Sequence, residues 1–543
     1  MLDNRDAGMR KVAVLGGGMT GLAAAFYLYR EARAQGVPIA VTLLEASERL
    51  GGRINTLRRD GFVIERGPES FLARKLPMVE LAEALGLEDE FVGTNPAAKF
   101  TYIAHGDELH AMPAGLNLGV PTDAGAFLET GLLSEEGKRR ALAEAAVPAA
   151  AQGGEDVRNG SGAAEDETVG AFLERRFGAE MVTRIFEPLL AGIYAGDLYG
   201  LSLDATFPQF KALEAQYGSV IRGLAEQRRA AQGQRKAGTA QGQAAGRHGT
   251  VAAEGQASAQ RGAEAAQSSS AASVLDRVRN RTGGSLFLTF RHGLLSVVEA
   301  LEERLREQGC EIRLDARVTA LSRGDDKQGQ SRAYRLETDN GQGLDVDAVV
   351  IALPAAGIAG LLEPHADVSA MRDIRYVSVA NVVFGYDEAG FDHPLDGSGF
   401  LVPRGEGRLI TASTWTSSKW QHTAPQGKRL IRCYVGRAGE EANVELSDEE
   451  MTVGVRRDLR ELMGLAAAPS FVEITRLRRS MPQYPLGHRV RTEAFLSALA
   501  ARMPGVIPAG QPFGGVGLPD CAAQGKQAAE SLVRRLGERY NKE

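Results

Sequence analysis

The chain has 543 residues, 43% apolar and 24% charged, enough for two or three domains with cores of their own. Its 63 Lys and Arg against 69 Asp and Glu leave a net charge of −6 spread along the chain, which argues against a nucleic-acid partner. Cys310, Cys433 and Cys521 lie too far apart in sequence for a disulfide scaffold or a thiolate zinc site, and the eight histidines include no HExxH pair.

Met1 to Arg10 is polar, so no secretory leader is expected, and Met9 offers a second candidate start. The long uncharged run Met503 to Pro519 holds four Pro and five Gly and is unsuited to span a membrane. A cytoplasmic protein is expected, with at most peripheral membrane contact. Val12 to Leu15 reads as a strand, Leu22 to Arg33 as a helix and Ile39 to Leu44 as a second strand, giving a βαβ opening. A hairpin-like stretch then ends at Gly67-Pro68-Glu69-Ser70, and helical patterns follow over Lys75 to Leu87 and Thr168 to Gly200. Pro148 to Glu167 reads as a small-residue, acidic loop. From about Gln227 the composition changes: within 231–270, 30 of 40 residues are Ala, Gly, Gln or Ser. Such a segment buries too little apolar surface to offset its ordering entropy, so 227–285 is read as a disordered insert; an Ala-rich surface helix is the alternative. Order resumes at Leu286, with a helix over Leu294 to Leu305 and strands at Glu311 to Leu314, Val318 to Leu321 and Val346 to Leu353. Strand-like segments occupy Val377 to Val435, followed by a helix over Asp448 to Met463. A glycine-rich turn at Gly510 to Gly517 and a helix from Pro519 to Leu536 close the chain.

The first turn reads Gly16-Gly17-Gly18-Met19-Thr20-Gly21, and Glu45 stands 24 residues beyond Gly21 at the end of the next strand. Glycines there permit a tight turn, a close approach of backbone to pyrophosphate and a helix packed on its strand, while a carboxylate can accept ribose hydroxyls. A purely structural glycine turn is the competing reading, and the acid by itself suits NAD or FAD. Arg49-Leu50-Gly51-Gly52-Arg53 tips the balance to FAD: a second glycine segment can wrap the cofactor, with Arg49 or Arg53 near phosphate charge. The late Gly510 to Gly517 turn before a helix offers further N–H groups suited to negative charge on a flavin ring, or is a plain loop.

Together with "RLGGR" and the late "AGQPFGGVGLPDCAAQGKQAA", the opening resembles FAD-dependent amine oxidases and protoporphyrinogen oxidases. "DGFVIERGPESFLARK", "EPLLAGIYAGDLYGLSLDATFPQF", "TWTSSKWQHTAPQGK" and "RSMPQYPLGH" narrow the resemblance to HemY-type porphyrinogen oxidases of Gram-positive bacteria. It covers nearly all of the chain except 227–281 and the 148–167 loop. It implies an α/β fold with a discontinuous Rossmann-type FAD-binding domain (9–74, 286–370 and 478–543). A helical subdomain (95–200) and an inserted substrate-binding domain (201–226 and 371–477) complete the expected organisation.

The resemblance also implies FAD held by Gly16 to Gly21, Glu45, Ala46, Arg49 and Gly67 to Ser70; Arg53 is a further candidate, and non-covalent binding is expected because no Cys or His stands beside a motif suited to flavin linkage. Val318 is expected at the adenine, and Val516, Gly517 and Leu518 near the flavin. Leu477 departs from the family, whose close relatives carry an aromatic in the strand before "SMPQY". On the substrate side it implies Lys75 beside a propionate, Ile193 and Tyr194 as a flat wall, and Trp415 and Lys419, with Trp420, against a tetrapyrrole. Arg404 is a further candidate for a substrate carboxylate. Core or surface packing is the alternative for each of these. No acid–base side chain is assigned, since flavin chemistry needs none. The implied activity is oxidation of coproporphyrinogen III to coproporphyrin III in haem biosynthesis, with molecular oxygen as acceptor and downstream haem-pathway enzymes as partners. Protoporphyrinogen IX oxidation is the runner-up; an FAD amine oxidase and a non-enzymatic flavin or porphyrin carrier are more distant.

Overall fold

The computed structural model describes residues 9–149, 166–230, 274, 276–324 and 333–540. Most of the low-complexity insert (231–273 and 275) and residues 150–165 of the small-residue loop lie outside the described residues.

The opening folds as βαβ because β-branched and aliphatic runs flank a glycine turn and an alanine-rich helix. Strand β1 (Arg10–Leu15) leads into α1 (Met19–Gln35), which Gly36 ends with a positive φ of 67°, and β2 (Ile39–Leu44) follows. Three distant segments complete the same sheet: β3 (Glu311–Arg313), β4 (Ala348–Ile351) and β5 (Val506–Pro508). The order is β3-β2-β1-β4-β5 with every pairing parallel. The four residues of β4 and the last four of β1 are all buried, as expected for strands covered on both faces. The terminal helix α2 (Leu518–Tyr540) packs along α1, and Gly525 lets them meet: a Cβ there would lie 2.4 Å from the Thr20 carbonyl oxygen.

The second layer is a seven-stranded sheet ordered Phe471–Gln483, Arg375–Asp387, Lys428–Val435, Ile410–Thr414, Gly397–Leu401, Phe100–His105, Glu108–Ala111. Two of those strands fall within the 95–200 segment expected to be helical. Phe100–His105 pairs with Gly397–Leu401 in parallel, and Glu108–Ala111 folds back on it. Helices start only at Ala124–Leu128. Residues 478–483, expected with the FAD domain, are continuous with the Phe471–Gln483 strand of this sheet. The helical layer includes Val169–Phe177 and a π-helical stretch, Val182–Ala191, with Pro188 inside it. The ends of the segment read as disordered are helical, over 220–230 and 276–282, with Val278 4% exposed in the main core.

Candidate functional site

The candidate cofactor cradle sits at the carboxyl ends of β1, β2 and β4, where the sheet order turns from β1 toward β2 on one side and β4 on the other. Gly16 holds a φ of 102°, and a Cβ on it would lie 2.5 Å from the Ala352 carbonyl oxygen. A Cβ on Gly21 would come within 1.8 Å of the Gly16 carbonyl oxygen, so the helix can start here only on glycine. Gly18, by contrast, faces open space. Met19 and Thr20 are buried beneath the turn. No side chain caps α1 and no acid occupies its first turn, which leaves its N-terminal dipole to groups outside the helix.

Glu45 leaves the end of β2 with both oxygens engaged. Oε2 accepts from the Gly17 N–H at 2.6 Å, and Oε1 accepts from Ser47 N–H and hydroxyl at 2.9 and 2.8 Å. Ala46 beside it is exposed. The Glu45 carbonyl accepts from Ala316 N–H at 2.9 Å, which brings Val318, two residues on, to the same rim.

Residues 51–53 form the next layer. The Gly51 N–H donates to the Gly17 carbonyl at 2.8 Å, and a Cβ on Gly52 would lie 3.2 Å from the Gly18 Cα. Arg49 is turned inward on this loop: its guanidinium donates to the carbonyls of Leu50, Ile54 and Gly52 at 3.1, 3.0 and 2.7 Å. It braces the turn beside the expected phosphate position. Arg53 donates to the Arg479 carbonyl at 3.1 Å, and burial lowers its pKa. Gly67 is pressed on this turn, with the Arg53 carbonyl oxygen 1.8 Å from where its Cβ would stand. Gly67, Pro68, Glu69 and Ser70 therefore run directly behind the 51–53 loop.

At the far side, Val516, Gly517 and Leu518 lead into α2, and all three are half-buried. Asp520, in the first turn of α2, accepts from Lys75 Nζ at 2.7 Å on each oxygen. The helix end expected to be open to flavin charge thus already carries a carboxylate, and Lys75, expected at a propionate, is spent on that carboxylate. The Gln524 side chain accepts from Gly510 N–H at 2.8 Å, while its buried Nε2 has no partner.

These features fit a dinucleotide. The glycines clear the backbone, the helix end awaits an anion, a carboxylate stands at the ribose position, and a buried amide donor remains unsatisfied at the Gly510 turn. No cluster of His, Cys, Asp or Glu suited to a metal occurs among the described residues.

The residues expected on the substrate side fall into two settings. Ile193 is 44% exposed and Tyr194 6% exposed, adjacent on Gly192–Tyr194. The Tyr194 ring meets Tyr484 edge-on at 5.7 Å, and burial raises its phenol pKa, so it stays neutral. Trp415 is 1% exposed, packed on Tyr102 and His393 with centroids 5.5 and 4.8 Å away. Trp415, expected against a tetrapyrrole, thus packs within the core of the seven-stranded sheet. Trp420 is equally buried. Lys419 is drawn into an ion pair with Glu69 at 2.8 Å. Arg404 ties the helical layer to the sheet, donating to the Ala438 and Gly196 carbonyls at 2.6 and 3.2 Å. Leu477 pairs with Val379 in the sheet.

Arg432 and Asn381, which reach residues 66 and 67 from the sheet, escaped the sequence reading. A buried arginine in the middle of the apolar strand Lys428–Val435 was the available signal.

Residues 19–533 match the family of flavin containing amine oxidoreductases. The chain is 38% identical to the coproporphyrinogen III oxidase of Bacillus subtilis, over 97% of this chain and 99% of the relative. It is 34% identical to the coproporphyrinogen III oxidase of Staphylococcus aureus, over 97% of this chain and 100% of that one. A crystal structure from Exiguobacterium sp. 255-15 with a provisional protoporphyrinogen oxidase assignment superposes with a TM-score of 0.75 at 33% identity, covering 97% of this chain and 100% of its own. The glycine cradle built on a discontinuous parallel sheet, and the likeness along nearly the whole chain, converge on one conclusion: the chain belongs to the flavin containing amine oxidoreductase family.

Proposed function

We propose that this chain is an FAD-dependent oxidase that converts coproporphyrinogen III to coproporphyrin III in haem biosynthesis. The carrying observation is the 38% identity to the Bacillus subtilis coproporphyrinogen III oxidase across 97% of this chain. FAD, when bound, supplies the hydride acceptor for each two-electron oxidation. The protein's part is to bind, orient and exclude water. The first turn of α1 and the glycines at 16, 18 and 21 receive the pyrophosphate, and Glu45 accepts the ribose hydroxyls. Val318 backs the adenine, and the segments 67–70 and 516–518 flank the ring system. Tyr194, kept neutral by burial, serves as wall rather than base, with Ile193 beside it. Molecular oxygen is the proposed electron acceptor, leaving as hydrogen peroxide.

Glu45→Ala is expected to weaken FAD retention by about 1.5–3 kcal/mol, the range for a charge-assisted hydrogen bond. Dialysis followed by absorbance measures it; parent-like retention would remove Glu45 from the ribose site. Substrate choice is tested by following porphyrin fluorescence aerobically with both porphyrinogens in matched detergent. A higher kcat/KM with coproporphyrinogen III is expected, and a clear preference for protoporphyrinogen IX would reverse the assignment in favour of the runner-up.

A further inference from the structure

The segment 66–70 is a single layer of chain caught between the 51–53 turn and the seven-stranded sheet. From the sheet side three polar side chains reach it. Asn381 Nδ2 donates to the Arg66 carbonyl at 2.8 Å, Arg432 Nη2 donates to the Gly67 carbonyl, and Lys419 Nζ pairs with Glu69 at 2.8 Å. Asn381 and Arg432 are 1% and 3% exposed, and the Glu69 side chain 9%. On its opposite side the segment has no slack, because Gly67 lies flat on the Arg53 carbonyl. The 51–53 turn is in turn bonded to the dinucleotide loop through Gly51 and Gly17.

Charge is concentrated on this contact. Burial pushes the Glu69 carboxyl up, but Lys419 and Arg432 outweigh it and hold the group below the usual carboxylate range. The Trp420 indole stands beside the same carboxylate and helps to hold it ionised. Arg432 keeps two further nitrogens, Nε and Nη1, without partners, facing a small cavity also lined by Glu65, Thr416 and His422. A buried guanidinium and a half-buried ammonium meet one segment of backbone from a separate layer, and the carboxylates of Glu69, on that segment, and Glu65, just before it, both feel the Arg432 charge. An arrangement that served core packing alone would use apolar side chains, since burying such charges costs free energy.

We propose that Lys419 and Arg432 are positioning residues, which through Glu69 and Gly67 seat the 66–70 segment against the flavin, so that the sheet sets how the cofactor is held. Lys419 thereby acts on Glu69 and not on a substrate carboxylate. The inference rests on the reading that 67–70 flanks FAD.

The test compares FAD-loaded parent, Lys419→Met, Lys419→Met with Glu69→Gln, Lys419→Arg and Arg432→Lys. FAD dissociation, the visible flavin bands, thermal midpoint, and kcat and KM are measured for each. Lys419→Met is expected to weaken FAD binding by about tenfold or more, to move the flavin bands and to lower kcat with little change in KM. Adding Glu69→Gln removes the stranded carboxylate and recovers part of the affinity; Lys419→Arg and Arg432→Lys, which keep the charge, retain most of it. A raised KM with parent-like FAD affinity and spectrum would return Lys419 to the substrate and overturn the proposal. So would a lowered thermal midpoint with unchanged flavin bands, the mark of a merely structural pair. If Lys419→Met fails to fold, the double variant decides: parent-like FAD affinity and spectrum with neither charge present refutes the clamp. A parent that holds no FAD would defeat the underlying reading itself, which separates that failure from failure of the clamp.

Discussion

Arg176→Met is expected to destabilise the helical layer by about 3–5 kcal/mol, the cost of breaking a buried ion pair from one side. Arg176 and Glu144 are both 0% exposed. The guanidinium donates to Glu144 Oε1 at 2.6 Å and Glu214 Oε1 at 3.2 Å, and to the carbonyls of Val147 and Gly218 at 2.9 and 3.1 Å. Glu144 in turn accepts from Val220 and Ile221 N–H at 2.9 and 3.3 Å, satisfying the start of the 220–230 helix. Removing the arginine strands Glu144 and two carbonyls without water. Urea unfolding followed by circular dichroism measures the loss, and a cost below about 1 kcal/mol would show that water or a neighbour replaces the guanidinium. Adding Glu144→Gln should return part of the stability, because the stranded charge is gone.

A second large effect depends on pH. Burial raises the Glu65 carboxyl from the ordinary 4.5 to about 7, against the opposing pull of its bonds to Leu294 N–H and Thr56. Between those values the folded protein holds a proton that the unfolded chain releases, so stability falls as the pH rises through that window. A displacement of about 2.5 units corresponds to roughly 3 kcal/mol. Glu65→Gln mimics the protonated form, and its stability relative to the parent should therefore grow by about that amount between pH 4.5 and 8. His422 and His488, each lowered to about 4 chiefly by burial, act in the opposite direction between about 4 and 6.5. They are present in both proteins and cancel in the comparison. A difference between variant and parent that stays flat across this range would mean that Glu65 is ionised throughout.

The elements legible in the sequence are those whose causes are local. The predicted helix Asp448–Met463 has those same bounds because Ser447 and Glu450 form a capping box and Gly464 ends it with a φ of 67°. The βαβ opening was equally plain, since its strands, helix and glycine turn follow one another within 35 residues. Phe100–His105 was missed because its partner strand begins at Gly397, and nothing near residue 100 announces that pairing. The candidate site divides in the same way. Gly16, Gly21 and Glu45 stand where their spacing places them. The contacts of Arg49 and Lys75 were not legible because a cation's partner within the protein is set by tertiary packing: Arg49 meets carbonyls of its own loop, and Lys75 meets an aspartate 445 residues away. Trp415 follows the same logic, since an alternating aromatic pattern does not tell which face of a strand meets the core.

The parallel sheet is assembled from chain segments at 10–44, 311–351 and 506–508. On the ribosome this separates the glycine turn from its supports by almost the whole period of synthesis. Until Val506–Pro508 emerges, the outer edge of β4 stays unpaired, and until α2 follows, the alanine-rich face of α1 stays wet. Contacts so remote in sequence make the nucleotide half slow to fold and exposed to aggregation while it waits. The antiparallel strands from Arg375 to Gln483, nearer neighbours in sequence, leave the ribosome before the last pieces of that half. The cofactor cradle is thus completed only once the helix Leu518–Tyr540 has emerged to close it.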